Sequence, residues 1–247
     1  MLKEDKPLHD LSHSKPLPPL RPVAAANLSF TLSEPEDWPG TVPFLTVPKS
    51  SPLLQREDKI KFASPPLAPP PNDPPWVIIK KIVGRNHPAK GQYGLYNGDR
   101  VLDKGTWIRD YLGVVHTDTE SETSSDYDVC LSRAATFADT ISIDATLAGN
   151  ESRYVNDFRN ILTRPNAVFE NREWPLPGGR GVGVRMAIWV GPVDIRPHEE
   201  IVVSYGRAYW DQRKKEKREA DKAARKAGRH APKEKPKFQL EHRVEMK

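Results

Sequence analysis

Gly149-Asn150-Glu151-Ser152-Arg153-Tyr154-Val155-Asn156-Asp157 is followed shortly by Arg164-Pro165-Asn166-Ala167. About forty residues beyond Asp157 comes His198-Glu199-Glu200-Ile201-Val202-Val203-Ser204-Tyr205-Gly206. Between them, Arg185-Met186-Ala187-Ile188-Trp189-Val190 alternates as a strand, and Glu200 to Tyr205 reads as another. Working outward, Trp76-Val77-Ile78-Ile79-Lys80-Lys81-Ile82-Val83 is apolar and β-branched, hence a strand, and it stops at Gly84. Gly94-Leu95-Tyr96 and Thr106 to Val115 read as further strands, with an Asn97-Gly98-Asp99 turn between them. Thr117 to Asp128 is acidic and rich in Ser and Thr, as a surface loop is. Many short strands with Gly and Pro punctuation predict a mostly β domain with short helices.

The flanks differ from this centre. Seventeen of the 25 prolines fall in residues 1–75. Proline fixes φ and removes a donor, so this density predicts an extended, disordered arm over 1–75, the alternative being that short apolar patches such as Val42-Pro43-Phe44-Leu45 dock on the domain or on a partner. From Trp210 to about Gly228 the residues are strong helix formers without an apolar stripe. Residues 213–229 carry nine cations against three acids, while the whole chain has a net charge of +5. The division expected is an arm over 1–75, a domain over 76–210 and a basic helical tail over 211–247.

Composition excludes several classes. No run of eighteen apolar residues could span a membrane. The start, Met1-Leu2-Lys3-Glu4-Asp5-Lys6, has acids and no apolar stretch behind it, so no secretory signal is expected. Cys130 is the sole cysteine, which removes internal disulfides and cysteine-based zinc sites, fits an intracellular compartment, and predicts a small buried side chain. The seven histidines are scattered, so no metal is predicted. Gly178-Gly179-Arg180-Gly181-Val182-Gly183 mimics a phosphate loop but lacks the following Lys-Ser/Thr, and reads as a hairpin loop.

The opening stretches resemble the two signature motifs of the SET domain, whose pattern is G-N-x-x-R-F-[IV]-N-H-S-x-x-P-N followed by G-E-E-[IL]-x-x-x-Y-G. The resemblance covers roughly residues 76–210, without the Cys-rich zinc modules found beside many SET domains. It implies a SET-domain β-fold with a knot-like core. It also implies a protein lysine methyltransferase dependent on S-adenosyl-L-methionine. Lys90-Gly91-Gln92-Tyr93-Gly94-Leu95-Tyr96 resembles the family's glycine turn against the cofactor, which makes Tyr93 and Gly94 cofactor candidates. Ile108-Arg109-Asp110-Tyr111-Leu112-Gly113-Val114-Val115 resembles I-x-E-Y-x-G-E-[VI]. The family tyrosine there lines the lysine channel, so Tyr111 is a catalytic candidate; the alternative is a half-buried strand aromatic. Asn156 matches the Asn that holds the methionine amino group, and Asp157 stands where the family has a His whose backbone meets adenine. Arg153 belongs to the same cofactor segment and also supports the core. Tyr205 matches the catalytic tyrosine, beside the cofactor; Val203 occupies the slot of a second tyrosine, and His198 that of the turn glycine.

The implied substrate is a histone or another nuclear protein, and the implied location is the nucleus, with the cytoplasm as a second compartment. The chemistry suits these residue types. A lysine amine ionises near pH 10.4, and an apolar channel beside a cationic sulfonium lowers that value. Tyrosine packs the lysine stem and orients the amine through its hydroxyl. A catalytically weak SET module serving as a chromatin scaffold is the second reading, and a basic nucleic-acid-binding protein the third. The tail offers a nucleic acid or nucleosome contact, and no membrane partner is expected.

Overall fold

The computed structural model describes residues 34–66, 70–120, 125–134, 136 and 139–226. Strands dominate. They are β1 (Lys49–Ser50), β2 (Val77–Lys81), β3 (Tyr93–Asn97), β4 (Trp107–Asp110), β5 (Val114–Thr117), β6 (Asp128–Ser132), β7 (Ile141–Asp144), β8 (Asn156–Asp157), β9 (Ala167–Pro175), β10 (Val182–Val190) and β11 (Val202–Val203). Two helices are α1 (Arg56–Asp58), continued by a π-turn over Lys59–Ala63, and α2 (Gly206–Lys226). The strands form small sheets: β1-β5-β7-β6, β4-β10-β9, the hairpin β2-β3, and the parallel pair β8-β11.

The single strand expected over Thr106–Val115 is two, and they belong to different sheets. The chain breaks at Tyr111–Gly113 because other groups take its backbone there. Asn150 Oδ1 accepts from Leu112 N at 3.2 Å, and Tyr111 N donates to Met186 O at 2.7 Å. A Cβ on Gly113 would collide with the backbone of Asp144, so only glycine fits that crossing. The β9-β10 hairpin matches expectation: Pro175 pairs with Val182 across a turn in which Gly178, Gly179 and Gly181 all have positive φ. Opposite Trp174, a Cβ on Gly183 would lie 2.5 Å from the indole nitrogen, so the ring occupies the space of the missing side chain.

The expectation of an unpacked segment through residue 75 does not hold over 34–66; residues 1–33 lie outside the described residues. Trp38, Leu45, Leu54 and Phe62 are buried. Trp38 packs edge-on against Phe44 and Tyr154, and β1 pairs in parallel with β5. Asp37 accepts from the Ile79 N–H, and Ser64 O accepts from Arg185 Nη2 at 2.8 Å. Proline density excluded regular ladders, and the segment is indeed nearly free of them. What it missed was the aromatic and aliphatic side chains between the prolines, each worth roughly 1.5–3 kcal/mol when buried.

Arg172 and Arg185 flank Trp174 at 5.3 and 5.5 Å, and Arg172 forms a bidentate pair with Asp110. Burial lowers the Arg185 pKa to about 10, against the pull of Asp110 and with the push of Arg172. Tail residues 227–247 lie outside the described residues.

Candidate active site

The motif stretches meet through backbone pairing. Asn156 pairs with Val202 and Asp157 with Val203 in the parallel β8-β11 ladder. Asn166 clamps the same place: its Nδ2 donates to Glu200 O at 2.8 Å and its Oδ1 accepts from Val202 N at 2.9 Å. A buried amide using both ends on one strand fixes register, which is why this residue type suits the turn.

Next to the ends of this ladder, at Val155, Ser204 and Tyr205, lies a cavity of about 200 Å³, lined also by Tyr111, Tyr127, Phe169 and Tyr209, with Asp126, Asp128, Cys130 and Arg153. Tyr111 is buried, and its hydroxyl donates to Tyr127 O at 2.9 Å. The Tyr205 hydroxyl donates to Val155 O at 2.7 Å. Burial pushes the pKa of Tyr205 well above the ordinary phenol range, with the neighbouring tyrosines and Asp157 adding to it, and burial raises Tyr111 likewise. Both phenols are therefore neutral and both spend their protons on carbonyls. Their oxygens remain acceptors, the complement of an amine N–H. Tyr209 meets Tyr205 edge-on at 5.0 Å; its own pKa is pushed up to about 12, by burial first and then by Asp157.

Arg153 threads between cavity and core. Its Nε donates to Ala145 O at 3.1 Å and its guanidinium lies 4.3 Å from the Tyr127 ring centre. Helix α2 closes one edge: Tyr209 Oη donates to Asp126 Oδ1 at 3.0 Å, and Arg213 pairs with the same carboxylate.

Outside the cavity lining, Asn156 Nδ2 donates to Glu200 Oε1 at 2.9 Å and to Tyr93 O at 3.3 Å. Gly94 lies against them; a Cβ there would be 2.8 Å from Glu200 Oε1 and 3.3 Å from Asn156 Nδ2. Tyr93 itself packs edge-on against Tyr154 at 5.7 Å. Asp157 sits between the two regions. Its Oδ2 accepts from Tyr205 N at 2.8 Å and Trp210 Nε1 at 3.1 Å, and the carboxylate pairs with Arg159 at 2.9 Å. Its side chain is thus occupied by protein donors, with the charge neutralised locally.

The structure gathers Tyr111, Tyr205 and Arg153 around the cavity, and Tyr93, Gly94 and Asn156 into the second cluster. It adds Tyr127, Phe169, Tyr209, Glu200 and His87, which sequence reasoning did not select. Cys130, expected to be buried, is only partly so, because its strand β6 forms a cavity wall. Of the added residues only Glu200 lay inside a quoted motif.

Comparison with solved structures gives distant, partial matches. The chain is similar to ATXR5 in complex with mono-methylated histone H3.1, with TM-score 0.41 and 17% identity over 54% of this chain and 58% of that one. It is similar to KRYPTONITE in complex with mCHH DNA, an H3 peptide and SAH, with TM-score 0.40 and 16% identity over 54% of this chain and 24% of that one. A second KRYPTONITE complex, with mCHG DNA and SAH, gives TM-score 0.39 and 18% identity over 53% and 24%. The chain thus spans under two thirds of each of these structures. No family model and no curated protein matches it.

Proposed function

We propose that the protein transfers a methyl group from S-adenosyl-L-methionine to a lysine side chain, in a histone or another nuclear protein. The observation that carries this reading is the pair of neutral phenols, Tyr111 and Tyr205, facing one aromatic-walled cavity with their protons committed to backbone carbonyls. Its aromatic walls desolvate a lysine stem, which favours the uncharged amine against the pull of Asp126 and Asp128 in the lining. The phenol oxygens accept its N–H groups and aim its lone pair. The cofactor candidates fit the ammonium of an amino acid end: the chemistry around Asn156 is that of acceptors, namely the Tyr93 carbonyl, the buried Glu200 carboxylate and the amide oxygen. Bound there, S-adenosyl-L-methionine would supply an activated methyl on sulfur. The proton lost by the methylated amine goes to solvent.

The parallel β8-β11 pairing and the Asn166 clamp support the knot-like SET core implied by the sequence motifs. With residues 34–66 packed on it, the domain reads as beginning before residue 76. Exposed basic residues along α2, including Lys214, Lys217 and Arg218, support contact with nucleic acid or nucleosomes and a nuclear location. Transfer of a labelled methyl group to nuclear proteins, compared with Tyr205→Phe, tests the reading; no labelling by the unaltered protein would remove it, and equal labelling by the two would remove Tyr205 from the mechanism.

A second reading, a SET-like binding module with weak activity, is favoured by Val203. It is fully buried in β11 where the family often has a second tyrosine. Methyl-lysine peptide binding without turnover would select this reading.

A further inference from the structure

His87, Glu200, Tyr96 and Asn156 form a directed chain whose donors and acceptors admit one arrangement. Ala89 N donates to His87 Nδ1 at 3.1 Å. That nitrogen is therefore an acceptor, and the imidazole proton sits on Nε2. Nε2–H donates to Glu200 Oε2 at 2.9 Å, and the Tyr96 hydroxyl donates to the same oxygen at 3.2 Å. The other oxygen, Oε1, accepts from Asn156 Nδ2 at 2.9 Å. Glu200 is only 8% exposed, and three donors converge on its carboxylate. A buried carboxylate held this way acts as an acceptor at a fixed place.

The consequence falls on Asn156. A carboxylate and the Tyr93 carbonyl can only accept, so the amide must turn its NH2 toward them. Its oxygen is then turned the other way. Without Glu200 the amide could flip and present a donor instead. Gly94 allows the approach: a Cβ at that position would crowd both Glu200 Oε1 and Asn156 Nδ2.

We propose that Glu200 is a positioning residue which, held by His87 and Tyr96, fixes the Asn156 amide so that Oδ1 accepts from the ammonium group of the cofactor's amino acid end. The inference rests on the methyltransferase reading and concerns only that end of the ligand.

Calorimetry on the full chain tests it with three probes. S-adenosylhomocysteine carries both amine and carboxylate, its decarboxylated analogue keeps the amine alone, and 5′-methylthioadenosine lacks both. Glu200→Gln is expected to weaken the two amine-bearing ligands about tenfold or more, and methylthioadenosine by less than about twofold. His87→Ala, which leaves the carboxylate in place, shifts the same ligands by roughly threefold, in the same pattern. In the double variant Glu200→Gln/Asn156→Ala, affinity for S-adenosylhomocysteine equals that of Asn156→Ala alone. Equal weakening of all three ligands would make Glu200 a structural residue and overturn the proposal, as would additive losses in the double variant or no change at all. If the unaltered protein binds none of the three, the cofactor reading falls and the proposal with it. Binding by the unaltered protein with no ligand-selective loss in the variants removes the positioning role alone.

Discussion

The backbone N–H of Tyr205 donates to the Asp157 carboxylate at 2.8 Å, so the residue after the signature Asn holds the candidate catalytic tyrosine by its main chain. The same carboxylate takes Trp210 Nε1 and Arg159, tying β8 to the first turns of α2. Asp157 is 7% exposed.

Replacing Asp157 by Ala strands those donors. The expected loss is about 2–4 kcal/mol of unfolding free energy, with Asn costing less because it keeps one acceptor. Urea denaturation measures the loss, and faster amide exchange over 205–213 accompanies it. An unchanged midpoint would mean that Trp210 and Arg159 find water at no cost.

Tyr205→Phe and Tyr111→Phe each remove the proton given to a carbonyl, Val155 O or Tyr127 O. Each should cost about 1 kcal/mol of stability. Methyl transfer should fall far more, by roughly a hundredfold for Tyr205, because the oriented acceptor is gone while the aromatic wall remains. Turnover and melting temperature, measured on the same preparations, separate the two effects.

Removing residues 1–66 should abolish cooperative folding, since it strips Trp38, Leu45, Leu54 and Phe62 from the core. Phe62→Ala alone is expected to cost about 3–5 kcal/mol, because Phe62 is 1% exposed and belongs to the core cluster with Val115, Ile143, Val184 and Met186. Circular dichroism melts read both. A truncated protein with a sharp transition near the original temperature would show that the segment is dispensable.

His116 makes stability depend on pH. Burial alone would lower its pKa, but the Asp128 hydrogen bond, the Thr117 carbonyl and the charges of Asp128 and Asp144 outweigh it, pushing the value up to about 9 from 6.5. Its raised folded pKa means that the protonated form is the stabilised one. The contribution is complete below about pH 6.5 and is lost as pH rises through about 9. The loss should be roughly 1–3 kcal/mol between pH 6 and pH 10. His116→Gln should flatten that part of the curve in denaturation series; an equal slope in the variant would assign it to other groups.

Deleting residues 214–247 removes most of the basic face of α2 while keeping Tyr209, Trp210 and Arg213. Affinity for DNA should fall, and the remaining binding should lose much of its salt dependence. Transfer to a short peptide should survive, because the contacts of α2 with Asp126 and Asp157 are retained. Lost peptide activity would place the later turns of α2 in the substrate site.

The signals that sequence carries explain which parts of this site were readable. Asn156, Tyr205 and Asn166 stand in a linear order that a motif can hold, and their pairing follows from it. Glu200 was visible as a motif letter, yet its work for Asn156 depends on His87 and Tyr96, which come from a turn and a hairpin strand with no periodic mark. Tyr127 and Tyr209 sit in an acidic loop and at the start of a basic helix, where composition describes the neighbours better than the aromatic. The packing of residues 34–66 was hidden for a related reason: prolines announce the absence of ladders but say nothing of where a Trp or Phe between them will lodge.

The parallel pairing of β8 with β11 also bears on how the molecule reaches its final form. The hydrogen bonds that unite the candidate site, from Asn156 to Glu200, Asp157 to Tyr205 and Val155 to Tyr205, close loops of 44 to 50 residues. Each such closure costs chain entropy before any contact repays it, and non-local strand pairing slows the search for the native state. A fragment ending before Glu200 lacks Tyr205 and Tyr209 from the cavity and Glu200 from the second cluster. Only β8 waits for β11 as its partner, so on a chain emerging from the ribosome activity should arise in one late step rather than accumulate as the domain condenses.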